Sequence, residues 1–299
     1  MSELRQYNSL IHHLTHSLPG RRYLCGMAAL TLTGIFIYPV KSLGGISVPA
    51  ADLTARGLRH DRRWLVVDAH NRFLTQREHA QMALLAVEPA YNGFLLRHQQ
   101  RPDLLPLYIP FEATPEKTLF VTIWDDMVFA WRGTPQADEW LTEALGQLCK
   151  LVYMSDMVRR EVEPDKPELN PAGTLVSFAD GYPYLLATEE SLAKLNQQLA
   201  HPVPLDRFRP NLLVRGAAPD AEMQWHDFQI AGQPFRSVRG CGRCVVTTID
   251  QATAQKDPAN EPLRTLATYR KPDRKVLFGE NVTGPATGRV QVGDPVDVS

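Results

Sequence analysis

The chain has little cysteine, no excess of either charge and no uninterrupted apolar run. Four cysteines in 299 residues exclude a disulfide scaffold and point to a reducing compartment, the cytoplasm. Lys plus Arg is 32 against 33 for Asp plus Glu, so no overall basic field recruits nucleic acid or an anionic membrane. Any anion site must be a local cluster. The apolar stretch 23–40, behind Arg21-Arg22, imitates a signal anchor. It contains Gly26, Gly34 and Pro39 as breakers, with Thr31 and Thr33 among them, whereas a spanning helix needs about 20 consecutive apolar residues. No membrane association is expected. The cysteine spacing cannot supply the C-x₄-C-x₂-C run of a plant-type iron–sulfur cluster. No Gly-x-Gly-x-x-Gly follows a strand to bind NAD or FAD. Internal repeats and low-complexity tracts are also absent.

What is present reads as globular. Hydrophobic residues make 44% and charged residues 22%, in a chain long enough for one large or two ordinary domains. Twenty-three prolines, mostly flanking short apolar runs, favour a β-rich, loop-rich architecture. Strand signals recur at 30–38, 46–53, 63–68, 73–75, 84–88, 93–97, 105–109, 119–124, 128–131 and 150–154. They resume at 184–187, 211–214, 228–230 and 234–238, and 289–298 reads as a closing hairpin. Thr134-Pro135 opens a helix, with threonine as cap and proline at the first helical position. Thr188 caps a second helix reaching about residue 200, with Glu189 and Glu190 at its positive end; a short one covers 261–269. The fold class expected is mainly β with a few helices (α+β). The proline-rich, acidic stretch 160–173 marks a soft boundary. It divides a domain at 30–160 from one at 161–299, after a leader at 1–29. His12, His13 and His16 in that leader read as solvent-facing. A chain starting at Met27 is expected to fold.

Chemistry concentrates in Arg239-Gly240-Cys241-Gly242-Arg243-Cys244, followed by Val245-Val246-Thr247-Thr248-Ile249. Glycine at 242 lets the backbone approach a bound group. The arginines stay charged and favour a neighbouring thiolate, which is a nucleophile and a soft-metal ligand. The β-branched run predicts a buried strand directly after the loop. As a bare motif Cys-x-x-Cys stays open: half a zinc site, a redox dithiol, two buried small residues, or a presented ligand or nucleophile.

Three polar clusters interrupt hydrophobic patterns. Lys41 and Ser42, followed by Gly44-Gly45, follow the first strand and suit a phosphate, or an ordinary turn. Asp61-Arg62-Arg63 precedes a buried strand. Asp206-Arg207-Phe208-Arg209-Pro210-Asn211 leads into Leu212. With Arg243 these form a cationic pocket if they converge.

Taken in order, Tyr-Pro-Val-Lys-Ser at 38–42, Asp-Arg-Arg-Trp at 61–64 and Ser-Phe-Ala-Asp-Gly-Tyr-Pro-Tyr-Leu-Leu-Ala at 177–187 resemble one family. Phe-Arg-Pro-Asn at 208–211, Cys-Gly-Arg-Cys at 241–244 and Val-Gly-Asp-Pro-Val at 292–296 extend the likeness. It is the MOSC family, named for the C-terminal domain of molybdenum cofactor sulfurase, and the likeness includes its N-hydroxylated-base-detoxifying and amidoxime-reducing branches. The resemblance implies an N-terminal β-barrel domain followed by a MOSC-type β-barrel, with a molybdopterin-type molybdenum cofactor between elements of both. It implies Cys244 as the molybdenum ligand and catalytic centre. Lys41, Ser42, Arg62, Arg209, Asn211, Gly242, Arg243 and Cys244 are then cofactor-binding positions. Ala179, Gly181 and Tyr182 stand where the family has serine or threonine, so the family's serine or threonine hydroxyl contacts are not expected there. The implied activity is reduction of N-hydroxylated compounds, such as hydroxylaminopurines or amidoximes, in detoxification. Electrons are expected from a separate ferredoxin or flavoprotein reductase, since no ferredoxin domain follows residue 299. The rival expectations are a cofactor carrier and a sulfur-transfer protein using a cysteine persulfide. No residue is an evident proton donor; Asp180 and His60 are the candidates.

Overall fold

A computed structural model describes residues 29–114, 117–162 and 173–299. Expectations for the leader, Met27 and most of the 160–173 loop fall outside those residues. The strands are β1 (Thr31–Ile37), β2 (Ile46–Ser47), β3 (Ala50–Thr54), β4 (Gly57–Leu58), β5 (Trp64–Asp68), β6 (Leu85–Ala90), β7 (Gly93–His98), β8 (Leu107–Pro110) and β9 (Thr118–Ile123). They continue as β10 (Asp126–Arg132), β11 (Cys149–Tyr153), β12 (Tyr184–Thr188), β13 (Leu212–Arg215), β14 (Asp227–Ile230), β15 (Gln233–Gly242), β16 (Leu277–Thr283), β17 (Thr287–Gln291) and β18 (Val296–Val298). The α-helices among the described residues are α1 (Pro135–Leu145), α2 (Glu189–Asn196) and α3 (Leu263–Tyr269). The chain is mostly β with few helices. Thr134 caps α1 through Ala137 N, and Thr188 caps α2 through Ser191 N, as side-chain oxygens do for orphan helical N–H groups.

The largest sheet runs β18-β14-β15-β16-β12-β13-β1-β2. No full ladder joins its ends. Instead Leu32 N donates to Asp294 O, Gly293 N to Leu32 O and Val296 N to Leu30 O, which brings β1 round to the segment leading into β18. Smaller sheets are β5-β11-β10-β9, β17-β3-β4 and β6-β7-β8. One core crosses from the first half of the chain to the second. Leu32 and Ile35 of β1 pack in the same cluster as Leu186, Leu212, Phe235 and Val282.

Two local expectations are corrected, and β1 carries an irregularity. On β1 a bulge falls between Leu32 and Gly34 in the pairing with β13. A one-residue shift exchanges the two faces, so Ile35 and Ile37 are buried while Phe36 is only partly so. The closing hairpin does not form. β17 pairs with β3 and β18 with β14, because Gly293 and Asp294 spend their backbone groups on Leu32. The strand expected after Cys244 is a 3-10 turn over Val245–Thr248. Thr247 Oγ1 donates to Cys244 O and Thr248 Oγ1 to Val245 O. Hydroxyls bonding backwards to carbonyls offer the chain a local alternative to a ladder, and here it prevails over β propensity.

Candidate functional site

The loops after β1, before β5, before β12, before β13 and at the end of β15 meet around a cleft of about 690 Å³. Lys41, Ser42, Arg62 and Arg209 line it, as do Asn211, Gly242, Arg243 and Cys244. All eight residues singled out from the sequence are therefore in one place. Their pieces of chain are tied directly: Lys41 N donates to Trp64 O, Arg62 N to Tyr38 O and Asn211 N to Leu185 O.

Tyr38 centres the inner end. Its hydroxyl donates to Pro210 O, and Asp61 Oδ1 accepts from its backbone N–H. The Arg62 and Arg209 guanidinium carbons lie 4.7 and 4.3 Å from its ring centroid. Burial pushes the phenol up to about 12 against both arginines. Arg62 is paired with Asp61. Burial works to lower its pKa, and Asp61 outweighs that. Arg209 donates to Leu43 O at 2.7 Å, and burial brings it down to about 10. Asn211 is committed inside the protein. Its Oδ1 accepts from Arg62 and from Leu185 N, and its Nδ2 donates to Phe36 O. It holds β1, β12 and Arg62 together and leaves one amide hydrogen free of a protein partner.

The second wall joins Lys41 and Asp180 to two residues the sequence does not flag, Arg77 and Trp124. Lys41 Nζ donates to Phe178 O and is paired with Asp180. Asp180 also accepts from Arg77 Nη2 at 2.9 Å and from Trp124 Nε1 at 3.3 Å. Burial acts to raise the Asp180 pKa, but Lys41 and Arg77 hold it far below the usual carboxylate range. Burial works to lower the Arg77 pKa, and its electrostatic interactions with Asp180 and Cys244 outweigh that. Arg77 thus lies close enough to Cys244 to act on it electrostatically, while the adjacent Arg243 is turned elsewhere. Arg243 Nη1 instead reaches Cys241 Sγ at 3.0 Å, with Nη2 on Phe208 O. Cys244 itself is held by its carbonyl, which accepts both Thr247 N and Thr247 Oγ1. His60 stacks on Phe111 and burial lowers it to about 4. Neither Asp180 nor His60 carries a proton to donate at neutral pH.

Backbone strain gathers here. Twelve non-glycine residues among those described have positive φ, and five of them (Ser42, Arg62, Trp124, Arg209 and Arg274) line the cleft. Each left-handed non-glycine residue costs about 1–3 kcal/mol and persists where surrounding structure over-determines it.

The lining fits a phosphate-bearing, sulfur-donor cofactor. The cleft volume falls within the about 300–1,000 Å³ of small-molecule sites. Arg209 and Arg243 make no ion pair with a described residue. Tyr182 Oη, Tyr184 Oη and Arg243 Nε are buried without a protein partner, and buried polar atoms left so cost about 1–3 kcal/mol each. Among the described residues no three His, Cys, Asp or Glu side chains gather around one point. Cys244 would therefore be the protein's own ligand to a metal held mainly by another group. A thiolate suits a soft centre with sulfur donors.

Lys41 makes anion binding pH-dependent. Burial lowers its pKa to about 8, with Asp180 opposing the shift. Below that value it is a cation that favours a phosphate; above it, the charge is lost. Cofactor retained after gel filtration, read by pterin fluorescence, is expected to fall between pH 7 and pH 9.5. Lys41→Arg, which keeps its charge, should flatten that profile. An equal fall in both proteins would separate the effect from Lys41.

With this geometry in view, comparison with known proteins is direct. A family model described as the MOSC N-terminal beta barrel domain matches residues 29–148, and one described as the MOSC domain matches residues 174–297. Mitochondrial amidoxime-reducing component 1 of Mus musculus is 30% identical over 280 residues, covering 89% of this chain and 81% of that protein. The protein of that name from Homo sapiens is 30% identical over 292 residues, covering 93% and 86%. Molybdenum cofactor sulfurase of Oryza sativa subsp. japonica is 31% identical over 263 residues, 83% of this chain but 32% of that longer protein. The chain belongs to the MOSC family, with a MOSC N-terminal domain followed by a MOSC domain.

Proposed function

We propose that the protein is a molybdenum-cofactor-dependent reductase of N-hydroxylated compounds, working in the cytoplasm with electrons from a separate ferredoxin or flavoprotein reductase. The observation that carries this is Cys244, its backbone anchored by Thr247 and its side chain lining a cleft shared with Lys41, Arg62, Arg77, Arg209 and Arg243. When bound, the cofactor supplies two-electron oxygen-atom chemistry; the protein supplies binding, orientation and electrostatics. Arg209 and Arg243 would meet its negative charge, Lys41 would add a third cation below about pH 8, and Cys244 would supply a sulfur ligand. Asp180 stays ionised and holds Lys41 and Arg77 in place. In the overall reaction the N–O bond breaks, two electrons and two protons enter, and water and the amine or amidine leave. With Asp180 ionised and His60 neutral, neither supplies those protons; Lys41, a cation at the cleft below about pH 8, and solvent are the remaining sources.

Sulfur transfer is the second reading, favoured by one observation. Cys241 has an arginine at 3.0 Å from its sulfur, which suits a nucleophilic thiolate. The purified chain, assayed on an N-hydroxypurine, is expected to be inert with NADH alone and active with a reduced viologen or an added redox protein. Sustained turnover with NADH and no second protein would refute the separate-donor part. Cyanide-labile sulfur on Cys241 without reductase turnover would favour sulfur transfer.

A further inference from the structure

Trp124 is out of place by every local rule. Ile123 pairs with Asp126 across β9 and β10, so Trp124 and Asp125 form a two-residue hairpin loop. Trp124 opens it at φ 52°, a position that favours glycine. The ring is nonetheless fixed. Arg77 lies over it at 4.7 Å, Phe73 packs tilted at 4.8 Å, and Nε1 donates to Asp180. It remains 39% exposed and lines the cleft. Cys244 lines the same cleft, and Arg77, which covers the ring, also acts electrostatically on Cys244. A strained, exposed, immobilised indole at the cleft stands where hairpin geometry favours glycine, asparagine or aspartate.

We propose that Trp124 selects the substrate, holding flat, conjugated N-hydroxylated groups against its indole while their N–O end points to Cys244. This rests on the reductase reading. Every substrate in that reading must bring its N–O group to the Cys244 end, and the indole is the large flat apolar surface exposed in that cleft. Conjugated rings stack on an indole in offset or tilted arrangements, and such stacking tolerates many ring systems because each has a π-face. The ionised Asp180 beside Nε1 gives the amine or amidine N–H groups of such a molecule an acceptor. Small aliphatic hydroxylamines gain nothing from the ring.

The test compares cofactor-loaded wild type, Trp124→Ala and Trp124→Phe on benzamidoxime and acetamidoxime with a viologen donor. In Trp124→Ala the ratio of the benzamidoxime KM to the acetamidoxime KM is expected to rise about tenfold, the size of one stacking contact. Trp124→Phe, which keeps a flat ring, should retain most of the wild-type ratio. An unchanged ratio in Trp124→Ala, with or without a common loss of rate, overturns the proposal. A second readout needs no turnover. Of the other four tryptophans, Trp64, Trp140 and Trp225 are buried and the partly buried Trp131 stacks on Tyr153 outside the cleft lining, so a ligand in the cleft should quench chiefly Trp124. Benzamidine should quench wild-type fluorescence more than acetamidine does, and Trp124→Phe should abolish the difference. If wild type reduces neither compound, the reductase reading falls. Quenching then decides alone, and equal quenching in Trp124→Phe and wild type removes Trp124 from the site.

Discussion

Cys244→Ala protein is expected to fold, keep its pterin and lose molybdenum-dependent turnover, whereas Cys241→Ala keeps most of it. The loss at Cys244 should exceed the about 10–100-fold that follows removal of a residue merely supporting a metal ligand. Both side chains are partly exposed and neither is in the hydrophobic core. Cys244 has ordinary extended backbone, φ −123° and ψ 179°, so alanine fits without strain. The Thr247 bonds to the Cys244 carbonyl survive the change because they use main chain. Melting temperatures should then match wild type in both variants, and metal analysis reads the ligand alone. In Cys241→Ala the Arg243 guanidinium keeps its bond to Phe208 O. Wild-type activity in Cys244→Ala protein that still carries molybdenum would end the ligand assignment.

Arg209→Glu should cost the protein its cofactor before it costs stability. Arg209 has a carbonyl and a ring for company, and no described acid pairs with it. Reversing its charge beside Asp61 and Asp180 removes a partner from a desolvated anion, a loss of about 2–5 kcal/mol, or about 30-fold or more in occupancy. Arg209→Gly separates charge from fold, because glycine takes the observed φ of 56° without penalty. Pterin fluorescence should fall sharply in the glutamate variant and clearly in the glycine one, with the melting temperature of the glycine variant held. Equal pterin content in Arg209→Glu and wild type would dissolve the anion pocket.

Why the site was so largely legible in the sequence, and the fold less so, has a physical basis. Lys41, Ser42, Arg62, Arg209 and Asn211 all flank strands. Charged residues at a strand end break the hydrophobic pattern and announce themselves. The element boundaries around α1 and β12 were readable because caps and apolar runs are local signals. Arg77 and Trp124 had no such signal. Arg77 sits in Thr75-Gln76-Arg77-Glu78, which reads as a polar loop, and only the tertiary fold puts it at Cys244. Trp124 continues an apolar alternation, so it reads as one more strand residue. The turn after Cys244 was misread because propensity counts β-branching and overlooks where threonine hydroxyls can donate. The closing hairpin failed because its turn residues bond to β1, a partner far away in sequence.

The left-handed corners of the cleft also bear on how such a chain can drift. At most positions random change is punished for lowering stability. At Trp124 the backbone alone points the other way, because glycine relaxes it at φ 52°. Glycine would also surrender the indole's contacts to Phe73, Arg77 and Asp180 and add freedom to the unfolded chain. The side-chain contacts therefore hold the turn in a shape its backbone resists, so a substitution at Phe73 or Asp180 would be felt at this corner as well as at its own position.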